Sequence, residues 1–325
     1  MDFGRFVSYK EEPSNRIVVA SNKHEVHKMN PQNITTKKFI VFMLIAFGVA
    51  GIPLWLAGFL NANGQVIGFL FLFRFIAVFI PFIAVLVARL PLREIGFGLK
   101  TKFKYILISW VAPQILAAIG TIVFFLIFPD SFKIGLDAIT SALPEEMAGM
   151  YDPSVINPTA YLIAMTIMSL TFIPLSQILP SLGEEAGWRG VLYPFLKNKF
   201  GKLGGRLIGG TLWGIWHWPL LIAGAYFFGN QYFGYPVLGP VVICIALTAY
   251  GIFIDWLYEK THSIWVASIA HSAMNAASIP MMLLGSSADP KLAVLGPSAF
   301  SLISLIPMII VAVIICLKKE KSSVS

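Results

Sequence analysis

Charge is scarce in this chain: only 12% of its 325 residues are Asp, Glu, Lys or Arg, against 57% hydrophobic residues. So little charge at a mean hydropathy of +0.77 excludes an ordinary soluble domain. Cysteine is almost absent. Cys244 and Cys316 both lie in apolar runs and form no motif with each other or with histidine. That excludes a disulfide framework and a thiolate metal site. The apolar runs also lack the alternation of apolar and polar residues that barrel strands need. Residues 1 to 37 have no apolar core of the signal-peptide kind, and their His24 and His27 are three apart, where a zinc-protease helix needs four. No G-x-S-x-G nucleophile motif occurs.

What is present is a series of long apolar segments, at approximately 39 to 60, 66 to 88, 105 to 128, 159 to 182, 204 to 227, 236 to 257, 264 to 284 and 298 to 317. A hydrocarbon core of about 30 Å needs roughly 20 apolar residues in helical form, so the expected fold is an all-α, polytopic membrane bundle of about eight transmembrane helices. Assigning basic residues to the connections places 21 of the 24 Lys and Arg on one side. That asymmetry predicts an integral membrane protein with both termini in the cytoplasm. It also accounts for the net charge of +8 by topology and attraction to the bilayer, without nucleic acid. The expected organisation is a cytosolic tail over 1–37, a membrane-embedded domain over 38–317 with a motif-bearing core at 159–284, and a short basic cytosolic C-terminus at 318–325.

The fourth segment runs on to Lys197, nearly 60 Å of helix at about 1.5 Å per residue, so it must bend or break. Pro174, Pro180 and Gly183 are the candidate break points, and a break before Glu184 would imply a hydrated cavity.

Within the apolar segments the polar groups are few: Glu184, Glu185 and Arg189; His217, four residues after Trp213; and His271 with Asn275. Each of the pairs 185/189, 213/217 and 271/275 shares a helix face. Measured from the basic residues at the interface, Glu184, His217 and His271 lie at a depth of roughly 16 to 20 Å, so the three can meet at one level. A second acidic pair, Glu145-Glu146, lies in a polar connection and reads as hydrated surface. Arg74 is a candidate counter-ion for one of the glutamates. Asp255, with Lys260 nearby, reads as snorkelling to the interface, and His262 as a loop-edge residue.

The set suits amide-bond hydrolysis. A carboxylate can deprotonate water, a histidine can assist or protonate the leaving amine, and a His with an Asn can donate hydrogen bonds to an oxyanion. Glu184, His217 and His271 could instead hold a zinc ion with an open position for water.

Glu184-Glu185-x-x-x-Arg189, Trp213-x-x-x-His217 and His271-x-x-x-Asn275 resemble, in order and spacing, the three motifs of the CAAX-protease and bacteriocin-processing family of intramembrane proteases. The run Trp188-Arg189-Gly190-Val191-Leu192-Tyr193-Pro194 is similar to that family too; Trp213 departs from it, Phe being commoner there. The resemblance implies an intramembrane endopeptidase that hydrolyses a membrane-associated, in some members lipidated, peptide or protein. It further implies that Glu184 activates water with help from His217, that His271 and Asn275 form the oxyanion hole, and that Glu185 and Arg189 support the site. The family has been viewed both as metal-dependent and as glutamate-based, so zinc stays a candidate cofactor. The competing readings are a non-catalytic scaffold or bacteriocin-immunity protein that binds a peptide or partner in the same cavity, and a transporter with broken helices.

Overall fold

The computed structural model describes residues 34–62, 67–98, 101–136, 152, 154–224, 227–285 and 289–318. The His24/His27 pair, the acidic pair Glu145-Glu146 and most of both terminal segments fall outside these residues. So does the side chain of Arg74.

Among the described residues the fold is all-helical, with an isolated bridge between Lys133 and Gly285 in place of any sheet. We number the helices α1 (Thr36–Met43), α2 (Ala50–Ala62), α3 (Ile67–Val87), α4 (Phe103–Ile127), α5 (Pro158–Leu170), α6 (Phe172–Gly187), α7 (Tyr193–Trp216), α8 (Trp218–Ile222), α9 (Leu238–Thr261), α10 (Ile264–Leu284) and α11 (Ile306–Leu317). A π-helical stretch, Leu44–Val49, joins α1 to α2, and another, Trp188–Leu192, joins α6 to α7. α10 packs on α4, α5 and α6, while α9 packs on α7 and α11, and α3 packs on α6.

The expected eight spans are not all found as single helices. Among the described residues three stretches are long and apolar enough to cross a membrane, Thr36–Leu56, Phe103–Ile127 and Leu238–Thr261, or four if the bent pair Pro158–Leu170 and Phe172–Trp216 is one span. α10 has 21 residues, but its His271, Asn275 and serines lower its hydropathy. The fifth apolar segment is cut at His217, because Pro219 has no N–H to continue the ladder and its ring opposes the carbonyl four residues back. The last segment is helical only over the 12 residues of α11, about 18 Å of rise, short of a bilayer core.

The long fourth segment does break, though not at the expected residues. The bend of 45° falls at Thr171, whose φ of −126° and ψ of −81° leave the helical region. Pro174 is only the third residue of α6, a position whose N–H has no intrahelical acceptor in any case, and Pro180 lies inside the helix without ending it. Carbonyls freed at the break are met from α4: Trp110 Nε1 donates to Leu170 O at 2.7 Å and Gln114 Nε2 to Ser169 O at 2.8 Å. A second irregularity sits at Gly201, with φ 72°, inside α7. No break falls immediately before Glu184, since α6 runs unbroken from Phe172 to Gly187; the π-helical stretch follows it instead, an irregularity often found at functional sites.

Asp255 does not snorkel. It is fully buried and accepts from Lys197 Nζ at 2.6 Å and from Arg206 Nε at 2.7 Å. Glu259, one turn on, accepts from Lys197, Arg206 and Lys202. The sequence reading missed this network because its members lie about 50 to 60 residues apart, on α7 and α9.

Two pairs of glycines set the helix spacing. A Cβ on Gly183 would lie 2.6 Å from Val78 O, and one on Gly187 would strike Pro81, so this four-residue glycine repeat seats α6 directly on α3. Gly210 and Gly214 do the same for α7 against Thr248 and Cys244 of α9, where a Cβ on Gly214 would lie 2.6 Å from Cys244 Cα. Gly214→Val should therefore lower stability by about 1–3 kcal/mol through overpacking, read as a drop in the thermal unfolding midpoint in detergent.

Candidate functional site

The glycine face of α6 is committed to α3, and Glu184 and Glu185 follow Gly183 directly, so both carboxylates are held inside the bundle. Their exposures are 5% and 0%. An ionised carboxylate at such depth requires hydrogen-bond donors or a countercharge. The two residues meet that requirement differently.

Glu184 is held by indoles. Trp188 Nε1, one turn along the same chain, donates to Glu184 Oε2 at 3.1 Å, and Trp213 Nε1 on α7 donates to the same oxygen at 3.0 Å. Oε1 has no hydrogen-bond partner among the described residues. One carboxylate oxygen is thus fixed by two donors, and the other is left for a further ligand. Trp213 is consequently more than a large aromatic in place of Phe, since a phenyl ring has no N–H to give. The donor capacity of Trp is the signal in the sequence that marks this position.

Glu185 is held by charge. Its Oε1 accepts from Arg189 Nη1 at 2.8 Å and stands 2.9 Å from His271 Nδ1. A carboxylate oxygen only accepts, so His271 Nδ1 carries the proton and Nε2 is turned to other partners. Arg189, itself fully buried, also donates from Nη2 to Gly251 O at 3.2 Å and lies 4.6 Å from the ring centroids of both Tyr193 and Trp213. Glu185 Oε2 and Arg189 Nε have no hydrogen-bond partner among the described residues.

The remaining groups surround Trp213. Its ring centroid is 5.1 Å from that of His271 and 6.5 Å from that of His217. His217, 8% exposed, places Nδ1 3.0 Å from Trp213 O; a carbonyl only accepts, so Nδ1 is again protonated. Asn275 lies one turn beyond His271 on α10 and is half-buried. Among the described residues no hydrogen bond engages its amide. Ser272 donates to Ile269 O and stays out of this cluster.

The structure therefore gathers Glu184, Glu185, Arg189, His217 and His271 around Trp213, with Asn275 adjacent to His271 in sequence register. It does not gather Glu184, His217 and His271 into a metal centre: among the described residues no three His, Cys, Asp or Glu side chains form a group able to hold a metal ion.

A helical membrane bundle with a buried carboxylate, two histidines and a countercharged second carboxylate is the class that fold and site define. Within it, residues 165–277, which contain all three motifs, match the family described as type II CAAX prenyl endopeptidase Rce1-like. The chain is also similar to a CAAX prenyl protease 2 of Methanococcus maripaludis, with 27% identity over 115 residues, 33% of this chain and 40% of that relative. The chain thus matches less than half the length of that curated relative.

Proposed function

We propose that this protein is an intramembrane endopeptidase that hydrolyses a peptide bond of a membrane-associated peptide or protein, with Glu184 as the base that activates water. The observation that carries this reading is the asymmetry of Glu184: two indole N–H groups on Oε2, none on Oε1. Donors on one oxygen fix the orientation of the carboxylate, leaving Oε1 to accept a proton from water.

In the step that follows, a water O–H gives its proton to Glu184 while its oxygen bonds to the scissile carbonyl carbon. The carbonyl electrons move onto oxygen, where Asn275 and His271 supply hydrogen bonds; His271 Nε2 donates there in the imidazolium form, whose charge Glu185 faces through Nδ1. Collapse of the tetrahedral species breaks the C–N bond, and the amine leaves with a proton returned through Glu184 and His217. Glu185 and Arg189 touch no reacting atom; they orient His271. The family match and the name of the Methanococcus maripaludis relative support a peptide carrying a prenylated cysteine as the substrate class. The cytoplasmic placement of both termini, the division at residues 37 and 318, and the residue roles belong to this proposal.

Purified protein in liposomes should release a C-terminal fragment from a prenylated peptide, faster than from its unprenylated counterpart, and a chelator should not change the rate because no step runs through a metal. Mass spectrometry of the products reads this; absence of any fragment from either peptide would reject the assigned substrate class.

Trp213→Phe keeps the ring but removes one hydrogen bond to a charged acceptor, worth about 1.5–3 kcal/mol. If half of that is felt in the transition state, kcat should fall by about 4- to 12-fold with KM little changed. Steady-state kinetics separates this from a packing defect, which would appear in the unfolding midpoint.

A further inference from the structure

Tyr193 takes no part in the chemistry described above, yet it is fully buried, and two glycines make room for its ring. A Cβ on Gly209 of α7 would lie 2.9 Å from Tyr193 Cε2, and one on Gly251 of α9 would strike Tyr193 Oη, so the ring fills a slot walled by bare backbone. A buried tyrosine hydroxyl ordinarily finds a hydrogen-bond partner, but Tyr193 Oη has none among the described residues. The slot therefore serves the ring face, and that face meets Arg189, whose guanidinium carbon lies 4.6 Å from the ring centroid. The Trp213 ring centroid stands at 4.6 Å from the same carbon. Among the described residues two hydrogen bonds hold Arg189, to Glu185 Oε1 at 2.8 Å and to Gly251 O at 3.2 Å, while its Nε has no acceptor. A guanidinium carries five N–H donors, so this cation is placed by rings as much as by hydrogen bonds.

We propose that Tyr193 is a positioning residue for the hydrolytic site: its ring fixes Arg189, Arg189 fixes Glu185, and Glu185 fixes the Nδ1 proton of His271. The link is short, because one oxygen, Glu185 Oε1, takes both the Arg189 Nη1 hydrogen bond at 2.8 Å and the His271 Nδ1 contact at 2.9 Å. With the Tyr193 ring removed, the guanidinium is free to shift and to draw that oxygen off His271, whose neutral imidazole then exchanges between its two tautomers. The effect on rate rests on the peptidase reading, whereas the effect on the His271 proton does not.

The test uses the full chain in liposomes, labelled with ¹⁵N-histidine, with the His271 resonances assigned by their loss in His271→Gln. At about pH 9, above the ordinary histidine range, solid-state NMR should show a single His271 tautomer protonated at Nδ1 in the wild-type protein and a mixture of tautomers in Tyr193→Leu. On a prenylated peptide, Tyr193→Leu should lower kcat by about 5- to 30-fold with KM little changed, the worth of a desolvated cation–π contact. Tyr193→Phe, which keeps the ring, should bring back both the single tautomer and most of the rate. Gly251→Ala reaches the same ring from outside and keeps the test open should Tyr193→Leu fail to fold. Its Cβ strikes Tyr193 Oη, so it should reproduce the leucine pattern in part, and adding Tyr193→Phe removes the struck atom and should reverse it. A single His271 tautomer in Tyr193→Leu, a Tyr193→Phe protein as impaired as Tyr193→Leu, or failure of the phenylalanine to reverse Gly251→Ala would each overturn the proposal. Absence of cleavage by the wild-type protein would instead reject the peptidase reading, and the NMR comparison would then decide the role of Tyr193 by itself.

Discussion

Glu184→Gln is expected to lower peptide cleavage by at least about 10²–10⁴-fold, the range supplied by a positioned general base, while leaving membrane insertion and the unfolding midpoint close to wild type. Glutamine keeps the shape of the side chain, and its carbonyl oxygen can still accept from Trp188 and Trp213. What it cannot do is accept a proton from water at its amide nitrogen. The substitution therefore separates chemistry from architecture, a distinction that Glu184→Ala, which also strands two buried indole N–H groups, makes less cleanly. The comparison is made on initial rates with protein recovered from membranes at equal yield.

Arg189→Ala should have the largest effect on stability, a loss of about 3–5 kcal/mol, because it leaves the fully buried Glu185 facing only His271. Arg189 also fills the space between the Tyr193 and Trp213 rings, so truncation removes packing as well as charge. Replacing both partners, Glu185→Met with Arg189→Met, removes the ion pair without leaving an unpaired charge and should recover much of the lost stability. It should not recover activity, because His271 would lose the carboxylate that fixes its Nδ1 proton. Thermal unfolding and initial rates measured on the single and double variants test both halves. A double variant as unstable as Arg189→Ala would show that the ion pair is not the cause.

Much of this architecture is legible in the chain itself. Apolar runs and the absence of alternation establish an all-helical membrane protein, and the four-residue spacing of Glu185 and Arg189 is observed directly as a 2.8 Å ion pair. What the runs do not encode is where helices end inside them. An apolar stretch reads the same whether it is one span or a helix, a hinge and a turn, as at His217 and before Ile306. The break at Thr171 escaped notice because its compensating donors, Trp110 and Gln114, lie 55 to 60 residues away on another helix. Long-range pairing likewise concealed the Asp255 network and the His271–Glu185 contact. The glycine repeats at 183/187 and 210/214 were visible, and their spacing is the signal that α6 and α7 are seated by backbone contact.

The most direct test of Glu184 as the water-activating base is mass spectrometry of a prenylated peptide incubated in ¹⁸O-water with wild-type and Glu184→Gln protein inserted to the same extent. The wild-type protein should produce a new C-terminal carboxylate bearing ¹⁸O, and the variant should leave the peptide intact. Cleavage by the variant at the wild-type rate would contradict the glutamate-base mechanism.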